Sequence, residues 1–186
     1  MKKIVWEVQY LSAPTVFRYC KKCRKKKPFT CSGQFRVNAQ RKSLDIWLIY
    51  KCSSCETTWN ATVYSRISPQ SLKPELLEAF YKNEETLVKQ IAMDSDLLLK
   101  NGVETGVPLY SVIGETFLPD EDITLEIKSK YSLNIKVSHI VREKLHLSQK
   151  DYLRLIDNEK FKSIPASDLR KCKLKKGITL FFQADN

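Results

Sequence analysis

The chain has 186 residues, 42% of them hydrophobic, and a formal charge of +11. That length suits one large domain or two to three small ones, and the apolar fraction excludes wholesale disorder. The stretch from Met1 to Glu7 turns amphipathic at once, so it does not read as a signal peptide, and no segment is apolar for long enough to cross a bilayer. The expected setting is the cytoplasm, where thiols stay reduced and paired cysteines favour metal over disulfide.

The charge is uneven. Residues 1–66 carry 14 Lys and Arg against three acids, residues 67–135 carry 6 against 12, and residues 136–186 carry 12 against 6. This pattern predicts two basic modules, residues 1–67 and 135–186, joined by an acidic segment over 68–134.

In chain order, Ile4 to Tyr10 is rich in β-branched and aromatic residues and predicts a strand that Pro14 ends. Val16 to Tyr19 then leads into Cys20-Lys21-Lys22-Cys23, and a second pair follows at Cys52-Ser53-Ser54-Cys55. Within each pair two residues separate the cysteines, and 28 residues separate the pairs. A two-residue spacer lets one tight turn aim two thiolates at a point, and two such turns complete the tetrahedron that structural Zn²⁺ takes. Two disulfides or an isolated redox pair are the alternatives, and neither explains matched pairs in a reducing compartment. The expected ligands are Cys20, Cys23, Cys52 and Cys55, with Cys31 and Cys172 left over as ordinary thiols.

A basic run, Lys21, Lys22, Arg24, Lys25, Lys26 and Lys27, crowds the first pair, and Arg36, Arg41 and Lys42 follow in the excursion between the pairs. Leu44 to Tyr50 predicts the strongest strand, which delivers Cys52, and Trp59 to Arg66 predicts another. Strands hung on two cysteine turns make an antiparallel zinc ribbon. Pro74 and Glu75 suit a first helical turn, with Leu76, Leu77, Phe80 and Tyr81 at helical spacing. A second helix is expected from Asn83 to Asn101-Gly102. From Val103 to Leu133 the signals shorten to strands at 109–113 and 123–127, with turns at Gly106, Gly114 and Pro119-Asp120. Val137, Ile140, Val141 and Leu145 predict a helix, Ser148 caps another bearing Tyr152, Leu153 and Ile156, and Ile178 to Phe182 predicts a closing strand.

The order of helix, Leu147-Ser148 cap, helix, short strand, Leu174-Lys175-Lys176-Gly177 and final strand resembles the S4-like RNA-binding fold. That resemblance implies RNA contacts from Lys136, Arg142, Lys144, Lys150 and Arg154. Two departures stand out: Gln149-Lys150 where that family often has Arg, and Asn158-Glu159-Lys160 where it usually has Gly. The whole chain also resembles a bacterial family, domain of unknown function 1062, through Cys20 to Cys23, Phe35 to Ala39, Leu44 to Tyr50 and Cys52 to Asn60. This resemblance implies a soluble bacterial protein with a Cys₄ zinc site and no assigned activity.

The expected architecture is thus α+β: an antiparallel zinc ribbon, a helical middle with short strands, and a small S4-like domain. RNA binding follows from the basic surface, which gains affinity by displacing phosphate counterions. Phe29, Phe35 and Trp59 can stack on unpaired bases when exposed, or else form the ribbon core. The alternative is a protein-interaction adaptor using the ribbon and the acidic middle. Catalysis is not expected: only His139 and His146 are present, each read as structural, no phosphate-cradling glycine loop appears, and four cysteines leave zinc no open position.

Overall fold

A computed structural model describes residues 2–40, 42–118, 121–132 and 134–184. The expected turn at Pro119-Asp120, the basic Arg41 and the boundary residue Leu133 lie outside the described residues. In chain order, β1 (Lys2–Tyr10) is followed by β2 (Val16–Cys20), β3 (Lys25–Gln40), β4 (Ser43–Cys52) and β5 (Thr58–Ile67). Helices α1 (Pro74–Lys82), α2 (Glu85–Ala92) and α3 (Ser95–Lys100) precede β6 (Glu104–Thr105), β7 (Tyr110–Ile113) and β8 (Ile123–Ser129). Then come α4 (Val137–Lys144), α5 (Gln149–Asp157), β9 (Phe161–Ile164) and β10 (Gly177–Phe182).

The chain forms two compact units where the sequence suggests three segments. The continuous unit, Ser12–Pro108, is built on a five-stranded sheet ordered β5-β4-β3-β2-β6. Strands β2 to β5 run as an antiparallel meander. On β4, Leu44, Ile46, Leu48 and Tyr50 are all fully buried on one face, the period-2 pattern of a half-covered strand. The same face takes Phe80 from α1, Val88 and Ala92 from α2 and Leu98 from α3 into one core. Two asparagines fasten helices to strands: Asn83 Oδ1 accepts from the Phe35 N–H at 2.6 Å, and the Asn101 side chain pairs with the Thr62 backbone at 2.8 and 3.0 Å. The helix expected over 83–101 is two, because the Asp94 carboxylate caps a fresh start by accepting from the Leu97 N–H at 2.9 Å.

The second unit, Met1–Leu11 with Leu109–Asn186, is split in sequence. Its sheet is ordered β7-β1-β8-β10-β9, with β1 and β8 parallel and the other pairs antiparallel. Ile4, Trp6 and Val8 of β1 and Ile123, Leu125 and Ile127 of β8 are buried. An aromatic chain runs from Trp6 through Phe117, Phe182 and Phe161 to Tyr152, with ring centroids 4.2–5.8 Å apart. Helix α4 adds Val137, Ile140 and Val141 to the buried set. Ser148 caps α5 by accepting from the Asp151 N–H at 3.1 Å.

The expected α+β architecture is therefore corrected to a sheet-rich one. Strand β1 is not a ribbon strand: its alternating apolar residues pair it with β7 and β8. The middle is no helical layer of its own, because the buried residues of α1 to α3 join the core of the cysteine-bearing sheet. The last fifty residues do not close into a separate S4-like domain either, since β9 and β10 complete a sheet whose other three strands come from residues 2–10 and 110–129. Alternation announces a strand without naming its partner.

Candidate metal centre

The two cysteine pairs occupy the two turns at one end of the meander. Cys20 ends β2 opposite Lys25, so Cys20 to Cys23 form the β2–β3 turn. Cys52 ends β4 opposite Phe29, so Cys52 to Cys55 form the β4–β5 turn. The 28-residue separation is one long hairpin, β3 out and β4 back, with an irregularity between Cys31 and Phe35. In each turn the residue after the second cysteine is left-handed, Arg24 at φ 53° and Glu56 at φ 57°. This repeated geometry swings the chain back so that both sulfurs of a pair point the same way.

The four Sγ atoms all lie within 4.8 Å of one another. Cys20 Sγ is 3.5 Å from Cys55 Sγ, and Cys23 Sγ is 4.0 Å from Cys52 Sγ. A disulfide needs about 2.05 Å, so these are not bonded pairs. A tetrahedron of metal–sulfur bonds near 2.3 Å has an edge of about 3.8 Å, which the two separations straddle. Cys20 and Cys52 are buried and Cys23 and Cys55 half-buried, which shields the centre from water. These four cysteines can hold a metal ion.

Surrounding donors favour ionised sulfur. The Cys23 N–H points at Cys20 Sγ from 3.5 Å, and the Thr57 hydroxyl lies 3.2 Å from Cys55 Sγ. Hydrogen bonds from the Thr57 hydroxyl and backbone hold the Cys55 thiol down at about 6. Cys23 is pushed up to about 12, first by its hydrogen bond to Cys55 and then by burial and its other sulfur neighbours. Thiolates are the metal-binding form, so a cation takes the place of the thiol protons when all four ionise.

Lys21, Lys22, Arg24, Lys25 and Lys26 are exposed around the first turn, and Lys27 is half-buried. Lys26 Nζ lies 2.6 Å from Glu104 Oε2. Of the two readings of the aromatics, stacking surface or ribbon core, the structure gives core for Phe29 and Phe35, which are buried, and the Trp59 ring lies under the Arg18 guanidinium at 4.4 Å. Sequence reasoning passed over Arg18. It lies on the inward face of β2 between Val16 and Cys20, next to Phe29 as well as Trp59. Burial lowers its pKa from the ordinary value, and the charge of Cys20 opposes the shift. A cation at the middle of a Val-Arg-Cys alternation was the available signal. Thr57 was missed too, its signal being a hydroxyl two residues beyond a ligand cysteine.

In the split unit the five basic candidates divide. Lys136 stands at the N-cap position of α4, makes no side-chain capping bond and is exposed, as is Lys150. Arg154 reaches Asp151 at 3.7 Å. Arg142 donates to Gln149 Oε1 at 2.8 Å, with its Nε buried and without a partner among the described residues, and Lys144 donates to the Val112 carbonyl at 2.9 Å. Those last two serve the unit's own packing. His139 and His146, expected to be structural, are both exposed. Among the described residues no helix is long and apolar enough to cross a membrane.

No curated protein and no solved structure matches the chain. A family described as protein of unknown function (DUF1062) matches residues 37–166, a span that includes the second cysteine turn and begins beyond the first. That match covers most of the chain, which therefore belongs to the DUF1062 family.

Proposed function

We propose that the protein holds one structural Zn²⁺ on Cys20, Cys23, Cys52 and Cys55 and binds RNA through the basic surface around that centre. The carrying observation is four sulfurs at tetrahedral spacing inside a turn lined by five exposed cations. Four soft ligands in two N–H-lined turns suit Zn²⁺, and a closed Cys₄ set leaves no position for a substrate. Four thiolates around a divalent cation carry a charge of −2, which Lys21, Lys22, Arg24 and Lys25 outweigh. The surplus meets phosphate. Lys136 and Lys150 offer further exposed positive charge in the other unit.

Elemental analysis of the purified chain should give one zinc per molecule, and Co²⁺ substitution should give the intense charge-transfer absorption of tetrahedral thiolate. Iron, or no metal at all, would refute the zinc assignment. RNA binding should weaken steeply as salt rises, with log K falling in proportion to log salt. Weak binding with a flat salt dependence would refute the nucleic-acid assignment.

A further inference from the structure

The cysteine-bearing sheet has a second face, and its composition is unusual for a surface. Strand register places Phe17 and Tyr19 of β2, Lys26, Pro28, Thr30 and Arg36 of β3, and Trp47, Ile49 and Lys51 of β4 opposite the helix-covered side. Phe17 is 37% exposed and Tyr19 58% exposed. Trp47 is half-buried, and its register neighbours are Arg36 on β3 and Thr62 on β5. Helices α1, α2 and α3 send their buried residues to the opposite core, so within this unit they leave these rings uncovered.

The rings and the cations are paired. Tyr19 stands directly across from Lys26, and Trp47 directly across from Arg36. Cross-strand neighbours on one face lie about 5 Å apart, so each pair sets a flat π surface beside a positive charge. Unpaired nucleotides present the two matching groups, a base with a π face and a negative phosphate beside it. Lys51 and Thr30, also a cross-strand pair, extend the polar part of the face. The Lys26–Glu104 contact joins two exposed side chains, so salt and a competing phosphate displace it readily.

We propose that this outer sheet face, through Tyr19, Trp47, Lys26 and Arg36, is a stacking platform for single-stranded nucleic acid. It rests on the RNA binding proposed above and assigns its contact surface, which differs from the aromatics suggested by the sequence. An acidic peptide would find the cations but would not need the rings.

The test uses the full chain and a labelled single-stranded oligouridylate of about ten nucleotides. Loss of Tyr19 and Trp47 together to Ala should weaken binding by about 10- to 100-fold, with metal content and melting curve unchanged. Trp6 is buried and Trp59 lies beneath Arg18, so Trp47 fluorescence should be quenched on binding and that quenching lost in Trp47→Phe. The conservative Trp47→Phe should retain most of the affinity. Three results would overturn the platform: equal affinity for duplex and single-stranded RNA, complete displacement by polyglutamate at matched charge, or undiminished binding by a folded double alanine variant. In the last case, a loss of binding in Lys21→Glu/Lys22→Glu would leave RNA binding standing on the cysteine turn alone. A wild-type chain that binds no RNA at any salt would end both proposals. Preference for the deoxythymidine oligomer over oligouridylate would keep the platform and reassign its nucleic acid to DNA.

Discussion

The two units solve the same problem of a five-stranded sheet in different ways. The split unit fills its core with a run of large rings, from Trp6 and Phe117 through Phe182 and Phe161 to Tyr152. The continuous unit has its aromatic cluster under the helices, where Phe80 meets Phe35 and Tyr64 edge-on at 4.8 and 6.0 Å. Toward the cysteine turns the apolar contacts give way to Tyr50, Trp59, Arg18 and then four sulfurs. A metal there can replace a core that short turns have no room to supply. One unit is held by burial alone, while the other adds four cysteines that can hold a metal ion.

The largest expected break in that contrast comes from Cys52→Ser. Structural zinc binding contributes on the order of 10–16 kcal/mol in isolated fingers, so this variant should lose the metal and unfold the cysteine end of its sheet. Elemental analysis and amide exchange across β2 to β5 would show it; retained metal and an unchanged melt would contradict the ligand assignment. Chelation of the wild type should reproduce the effect, and exchange across β1, β8 and β10 should stay slow. Next in size is Leu125→Ala on the central strand of the split unit, where the side chain is fully buried. A loss of about 2–5 kcal/mol is expected, read by denaturant melting, with zinc content untouched. The smallest effect concerns Tyr50, whose ring is buried against Trp59 at 5.4 Å and whose hydroxyl has no hydrogen-bond partner among the described residues. Burial also raises its pKa. Tyr50→Phe removes an unsatisfied hydroxyl and should stabilise the unit by up to about 1 kcal/mol. A destabilised Tyr50→Phe would reveal a partner for that oxygen.

Much of the local structure was legible in the residues. Runs of β-branched and aromatic residues marked β1, β4 and β5, helical spacing marked α1, α4 and α5, and the paired cysteines announced a common point. What local pattern does not carry is pairing. Nothing within Lys2 to Tyr10 says that its partner is Ile123 to Ser129 rather than the next strand along, because the alternation is equally satisfied by either. The second face was hidden for a related reason. Leu44 to Tyr50 is apolar on both parities, and only the docking of α1 to α3 decides that Leu44, Ile46 and Leu48 go inside and Trp47 and Ile49 stay out. The same ambiguity left Phe29 and Phe35 open as either stacking surface or core, and both are on the covered side.

The parallel pairing of β1 with β8 joins residues about 120 positions apart, Lys2 with Ile123 through Val8 with Ser129. Closing so long a loop costs chain entropy, but each doubling of length adds only about 0.6 kcal/mol. A ribosome releases the chain from its amino end, so β1 emerges first and waits, its strand partners β7 and β8 still unmade, while the whole of Ser12–Pro108 follows. Order of synthesis and order of completion are thus reversed: the piece inserted in the middle can finish while the piece that began first is still open.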